Sequence, residues 1–185
     1  MEFKPFPKIK RLFREIVITE KIDGTNASVF IPTEEEQKKF NFARKVMAAS
    51  RTRWIEPGDD NYGFASWVDK NYEELLRLGP GYHFGEWWGK SIQRGYGLSE
   101  RRFSLFNVEK WSDDSVRPSC CSVVPTLYRG EFDTNVIKDV LIQLSREGSK
   151  ASPGFMDVEG VCIFHTASNS LFKYTLDDNH KDVGK

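Results

Sequence analysis

The chain has 185 residues, 27 of them basic and 27 acidic, so its formal charge is zero; that excludes a wholesale polycation but leaves a local basic patch able to meet a nucleic acid. With 39% hydrophobic and 14% aromatic residues it is too apolar for a disordered chain, and its length suits one domain with a buried core. No apolar run approaches the ~18 residues of a membrane span, and the N-terminal MEFKPFPKIKRLF lacks the apolar stretch of a secretory signal. Cys120, Cys121 and Cys162 form no C-x-x-C pair, so a reducing, cytoplasmic setting without disulfides or zinc is expected.

Residues 15–22 are β-branched and predict a strand. Asp23-Gly24 breaks it, and 27–31 resumes extended structure up to Pro32. Thr33-Glu-Glu-Glu36 has capping-box spacing, but the apolar spacing beyond it is poor, so 33–42 reads as a charged excursion before a strand over 44–51. Phe64, Trp67, Val68, Tyr72, Leu75 and Leu76 recur at three- and four-residue spacing and predict one helix over 61–78, stopped by Gly79-Pro80-Gly81. A second helix runs from Thr134, as N-cap, to Arg146, with Val136, Ile137, Val140, Leu141 and Leu144 as its buried stripe. Further strands are expected at 82–88, 102–109, 122–128, 158–165 and 171–176. Strands outnumber helices and the turns are tight, which makes the class α+β with largely antiparallel pairing. No boundary divides 1–176, and 177–185 is a polar tail.

Chemistry concentrates in Thr19-Glu-Lys-Ile-Asp-Gly-Thr-Asn26. A lysine ending a β-branched strand beside a turn becomes a covalent nucleophile if its amine is neutral. Deprotonation near neutral pH costs roughly 4 kcal/mol from the reference value, which burial or a neighbouring cation must supply. The competing reading of K-I-D-G alone is an edge-strand lysine before an ordinary turn.

The wider constellation favours the nucleophile. K-I-D-G is followed by Ser50-Arg51-Thr52-Arg53, Phe84-Gly85-Glu86-Trp87-Trp88-Gly89, Leu105-Phe106-Asn107-Val108, Val158-Glu159-Gly160-Val161 and Phe172-Lys173-Tyr174. In order and type these motifs resemble those of the covalent nucleotidyltransferases, which comprise ATP-dependent RNA and DNA ligases and mRNA capping enzymes. T-E-K-I-D-G-T-N is most similar to the RNA ligase 2-type branch, and the resemblance spans about residues 15–176. It implies a nucleotidyltransferase domain of two mainly antiparallel sheets with flanking helices. It further implies ATP and magnesium or manganese as cofactors, a lysyl-AMP intermediate, and RNA with 5′-phosphate and 3′-hydroxyl ends as partner, with no membrane.

Under the resemblance Lys21 is the nucleophile. Arg51 contacts ribose or phosphate, with Arg53 its near competitor. Glu86 accepts the ribose hydroxyls, and Phe106 stacks on adenine, with core filling the other reading of that ring. Glu159 supports the metal, and Lys173 contacts the α-phosphate and acts on Lys21 through like charge. Glu20, Ile22 and Asn26 flank the nucleophile as nucleotide contacts. Relatives carry a second lysine two residues after the first, where this chain has Thr175. Lys90, Arg94, Arg101 and Arg102, with Trp88 and Tyr96 interleaved, are candidates for gripping a nucleic-acid backbone, against the alternative of a solvated loop. His83, His165 and His180 show no metal-ligand spacing. A DNA ligase or a GTP-using capping enzyme is the alternative activity; both usually append an oligonucleotide-binding barrel, and twelve residues follow Lys173. A catalytically inactive nucleic-acid-binding module would have lost Lys21 or Glu159, and both are present.

Overall fold

The computed structural model describes residues 1–176; the expected tail over 177–185, His180 included, lies outside them. Among the described residues the β-branched and aromatic runs form two sheets. The first joins, in spatial order, β10 (Ser170–Thr175), β9 (Gly160–His165), β1 (Glu15–Lys21) and β8 (Thr126–Glu131), all antiparallel. The second joins β4 (Trp54–Ile55), β3 (Met47–Ser50), β2 (Thr25–Ile31), β5 (Gly81–Gly89), β6 (Arg101–Leu105) and β7 (Cys121–Val123). In it only the β6–β7 pair is parallel. The mainly antiparallel two-sheet expectation therefore holds.

Strand alternation sorts the side chains into cores. Ile16 and Ile18 of β1 and Val161 and Ile163 of β9 pack with Leu141 and Leu144 of the helix α5 (Thr134–Glu147). Ala27, Val29 and Ile31 of β2, with Trp87, Phe103 and Leu105, pack against Phe64, Val68 and Leu75. A third cluster of Ile22, Trp88, Tyr96 and Val124 lies where the chain changes sheets. Ile22 is in the β1–β2 link and Val124 in the β7–β8 link, and both links pass from one sheet to the other.

Five local expectations change. The charged excursion contains a helix, α1 (Glu34–Phe40), which buries no residue. Its capping box between Thr33 and Glu36, acidic first turn and basic last turn support it without an apolar face. The helix over 61–78 divides into α2 (Phe64–Lys70), α3 (Tyr72–Leu75) and a 3-10 turn, Leu76–Leu78. Asn71 breaks it with φ −105° and ψ 18°, its side chain donating to the Trp67 carbonyl at 2.8 Å. The apolar stripe runs through this break, so periodicity reads one helix. The strand over 102–109 ends at Leu105, and Asn107 caps α4 (Val108–Trp111) by accepting the Lys110 N–H at 3.1 Å. The run over 122–128 splits around Pro125, which has no N–H for a ladder, so β7 and β8 lie in different sheets. At α5 the cap is Asp133, accepting from Asn135 N–H at 2.7 Å, not Thr134.

Candidate active site

Lys21 is the last residue of β1, and the turn after it carries the chain from the first sheet to the second. Alternation turns Ile16, Ile18 and Glu20 to one face and Val17, Thr19 and Lys21 to the other. Lys21 is level with Gly160 on β9, which is level with Thr175 on β10; Thr19, Cys162 and Lys173 form the neighbouring row. Lys21, Cys162 and Lys173 thus share a face. The Lys21 Nζ lies 2.6 Å from Glu159 Oε1, and these side chains are 25% and 17% exposed. Glu159 Oε2 is buried with no hydrogen-bond partner among the described residues.

The second sheet supplies the opposite contact. Glu86 on β5 is level with Asn26 on β2. Its Oε1 accepts the Gly24 N–H at 3.1 Å and its Oε2 accepts from Asn26 Nδ2 at 2.9 Å. Burial pushes Glu86 up to about 7, against those hydrogen bonds and the charge of Lys21. Gly24 allows the turn to nest here: a Cβ would stand 2.5 Å from the Trp87 carbonyl oxygen and 2.7 Å from Trp88 Cβ. The Cys162 thiol, raised chiefly by burial, feels Lys21, Glu159, Glu86 and Lys173, so four predicted residues act on one point. Cys162 itself escaped the sequence reading, although its spacing two residues after Gly160 puts it on the Lys21 face.

The remaining predicted residues divide. Phe106 follows β6, donates its N–H to the Phe84 carbonyl at 3.0 Å and is 41% exposed, whereas Phe103 is fully buried, so the Phe106 ring is not core filling. Arg51 lies exposed in the β3–β4 turn, and its competitor Arg53 is held by Asp59 through two hydrogen bonds at 2.6 and 2.9 Å. Lys173 is exposed, and the position level with Lys21 is the buried Thr175.

Glu20 changes role. It is 1% exposed, on the core face, and accepts hydrogen bonds from Ser149 Oγ (2.5 Å), Lys150 N–H (2.8 Å) and Ala151 N–H (3.0 Å). Its carboxylate fastens the loop after α5, on the face of β1 opposite Lys21. The Ile22 side chain is likewise buried, against Trp88 and Tyr96.

The basic cluster is mostly engaged within the chain. Arg94 reaches Asp23 and Asp157. Arg101 donates to the carbonyls of Lys90 and Tyr62, and Arg102 pairs with Glu100 while lying over the Trp88 ring. Lys90 remains exposed. His83 and His165 bond the carbonyls of Gly79 and Leu12, and the three cysteines are free.

This arrangement suits phosphoryl chemistry: an amine beside a carboxylate, a second buried carboxylate, an open aromatic ring and exposed cations at the edges. Among the described residues no three His, Cys, Asp or Glu side chains could by themselves hold a metal ion. The unpartnered Glu159 oxygen fits a cation also held by phosphate oxygens. Among the described residues no helix is long and apolar enough to cross a membrane.

The sequence matches the family described as RNA ligase over residues 14–175. No curated protein matches it. Among solved structures it is similar to variants of the Naegleria gruberi RNA ligase. One, with ATP and Mn, has TM-score 0.62 at 18% identity, covering 91% of this chain and 52% of that one. A second with ATP and Mn has TM-score 0.64 at 18% identity, covering 94% and 53%. A variant with AMP and Mn has TM-score 0.63 at 17% identity, covering 94% and 53%. The chain thus spans about half the length of these structures.

Proposed function

Because the chain belongs to the RNA ligase family, we propose that it uses ATP to form a lysyl-AMP at Lys21 and then joins 5′-phosphate to 3′-hydroxyl ends of RNA. The observation that carries this reading is the convergence of Lys21, Glu159 and Glu86 at the turn where the chain changes sheets.

The neutral Lys21 amine attacks the α-phosphorus of ATP. A P–N bond forms, the P–O bond to the β-phosphate breaks, and pyrophosphate leaves with the electron pair while the amine loses a proton to solvent. A 5′-phosphate oxygen of RNA then attacks the AMP phosphorus, the P–N bond breaks, and the Lys21 nitrogen leaves with the electron pair and takes a proton from solvent. Finally a 3′-hydroxyl attacks the 5′-phosphorus and loses its proton to solvent, while the P–O bond to AMP breaks and AMP leaves with the electron pair. Glu86, held by Gly24 and Asn26, accepts the ribose hydroxyls and fixes the nucleotide. Phe106 offers an open face for adenine, and Arg51 and Lys173 add positive charge at phosphate. In this structure Glu159 Oε1 contacts the amine at 2.6 Å. Glu159 and nucleotide phosphate oxygens would hold a magnesium or manganese ion, which supplies positive charge at phosphorus when bound. ATP with manganese in the similar structures supports this pair of cofactors.

The test is incubation with α-labelled ATP or GTP and magnesium or manganese, followed by denaturing electrophoresis. Label from ATP retained on the chain, and sealing of 5′-phosphorylated RNA in preference to DNA, are the expected results. Label from GTP alone, or none, would refute the reading.

A further inference from the structure

We propose that Arg94 is a positioning residue for Lys21 and Glu159 rather than a nucleic-acid contact, its guanidinium tying the segment that carries the amine to the segment that carries the carboxylate. This rests on the reading of Lys21 as nucleophile. Arg94 Nε donates to Asp23 Oδ2 at 3.0 Å, and Nη1 donates to Asp157 Oδ1 at 2.6 Å and to the Asp157 carbonyl at 3.3 Å. Asp23 stands two residues after Lys21, and Asp157 two residues before Glu159. The bridge thus parallels the 2.6 Å contact between Lys21 and Glu159 themselves. The Arg94 and Asp23 side chains are only 18% and 26% exposed. Tyr96, 1% exposed, adds a second tie, its Oη accepting the Asp23 N–H at 2.8 Å.

The loop that delivers these side chains is conformationally costly. Ser91, Gln93 and Tyr96 have φ of 61°, 45° and 52°, a region non-glycine residues occupy only when the surroundings over-determine it. Ser152 Oγ donates to the Tyr96 carbonyl at 3.0 Å, and the Tyr96 ring packs on Trp88 and Phe155, which supplies that constraint. A guanidinium fork suits two carboxylates at fixed, separate positions, because its donors diverge in a rigid plane, whereas the three donors of an ammonium radiate from one nitrogen on a flexible stem. Two carboxylates around Arg94 also disfavour an incoming RNA phosphate. In-line attack tolerates little displacement, so loosening the bridge acts on rate more than on binding.

The test compares wild type with Arg94→Ala, Arg94→Lys and Asp157→Ala in single-turnover labelling from ATP. RNA affinity at several salt concentrations is measured alongside. Arg94→Ala should slow Lys21 labelling by roughly 10–100-fold at saturating ATP, as expected for a misplacement near 1 Å, with ATP KM and RNA affinity little changed. Arg94→Lys should recover only part of the rate. Asp157 is 73% exposed, so Asp157→Ala should fold normally and still label several-fold more slowly. Adding Asp23→Asn to Arg94→Ala should cost little more than Arg94→Ala alone, because the pair acts as a unit. Wild-type labelling rates in Arg94→Ala with weakened, less salt-sensitive RNA binding would overturn the inference and restore the nucleic-acid role. A folded Asp157→Ala protein that labels at the wild-type rate would overturn it too. A wild-type chain that never labels would instead overturn the reading of Lys21 on which the inference rests.

Discussion

Replacing Glu86 by Gln should change how the stability of the protein depends on pH, in a direction and size set by burial. Glu86 is 7% exposed, and its carboxyl is pushed from 4.5 up to about 7. The folded state therefore keeps a proton that the unfolded chain releases. Stability contributed by that proton is fully present below about pH 4.5 and is lost as pH rises through about pH 7. At ~1.36 kcal/mol per pH unit the loss is roughly 3 kcal/mol. Gln does not ionise, so this slope should vanish in Glu86→Gln. Gln Oε1 accepts the Gly24 N–H, and rotation of the Asn26 amide turns its Oδ1 to accept from Gln Nε2. Any residual cost is the same at every pH and cancels in the comparison. Urea unfolding of both proteins at about pH 4.5 and about pH 8.5 measures the effect. The variant should gain up to roughly 3 kcal/mol on wild type between the two. An equal difference at both pH values would refute the burial reasoning.

Other substitutions separate binding from structure. Glu86→Ala should raise the ATP KM by about 10–100-fold, the worth of charge-assisted ribose hydrogen bonds at ~1.5–3 kcal/mol, and equal use of ATP and 2′,3′-dideoxy-ATP by wild type would contradict that role. Glu20→Ala strands a buried hydroxyl and two N–H groups and should cost about 3 kcal/mol or more, read as a fall in Tm with ATP KM unchanged in the remaining folded protein. Arg51→Ala should weaken ATP use whereas Arg53→Ala should not, since Arg53 serves Asp59; steady-state labelling of the two variants decides this. Glu159→Ala should stall labelling at saturating ATP, and full activity of that variant in excess EDTA would exclude its metal role.

What the sequence makes legible here depends on whether a residue's partners are near in the chain. β1, β2, β9 and β10 carry dense β-branched and aromatic patterns, so their existence and their period-two faces can be read directly. That periodicity also places Cys162 and Lys173 on one face. Lys21 and Glu159 stand out as charged residues against apolar strands, and the structure brings them into contact. Glu20 is adjacent to Lys21 in sequence but opposite in space, since one step along a strand reverses the face; its partners lie about 130 residues away. Arg94 reads as one cation in a basic run. Its carboxylate partners Asp23 and Asp157 lie 71 and 63 residues distant, and no local pattern signals either. The helix α1 was masked for a different reason: capping and terminal charges support it, and amphipathic periodicity is blind to both.

The most direct measurement is to locate the nucleotide on the chain. After incubation with ATP and magnesium, the protein is digested with trypsin and its peptides are weighed. An adenylyl group on Lys21 blocks cleavage there, so the adduct should appear on a peptide that runs through Lys21 into the K-I-D-G-T-N segment, and should be absent from Lys21→Ala and Lys21→Arg. An adduct on any other lysine, or one that persists in Lys21→Ala, would contradict the assignment of the nucleophile.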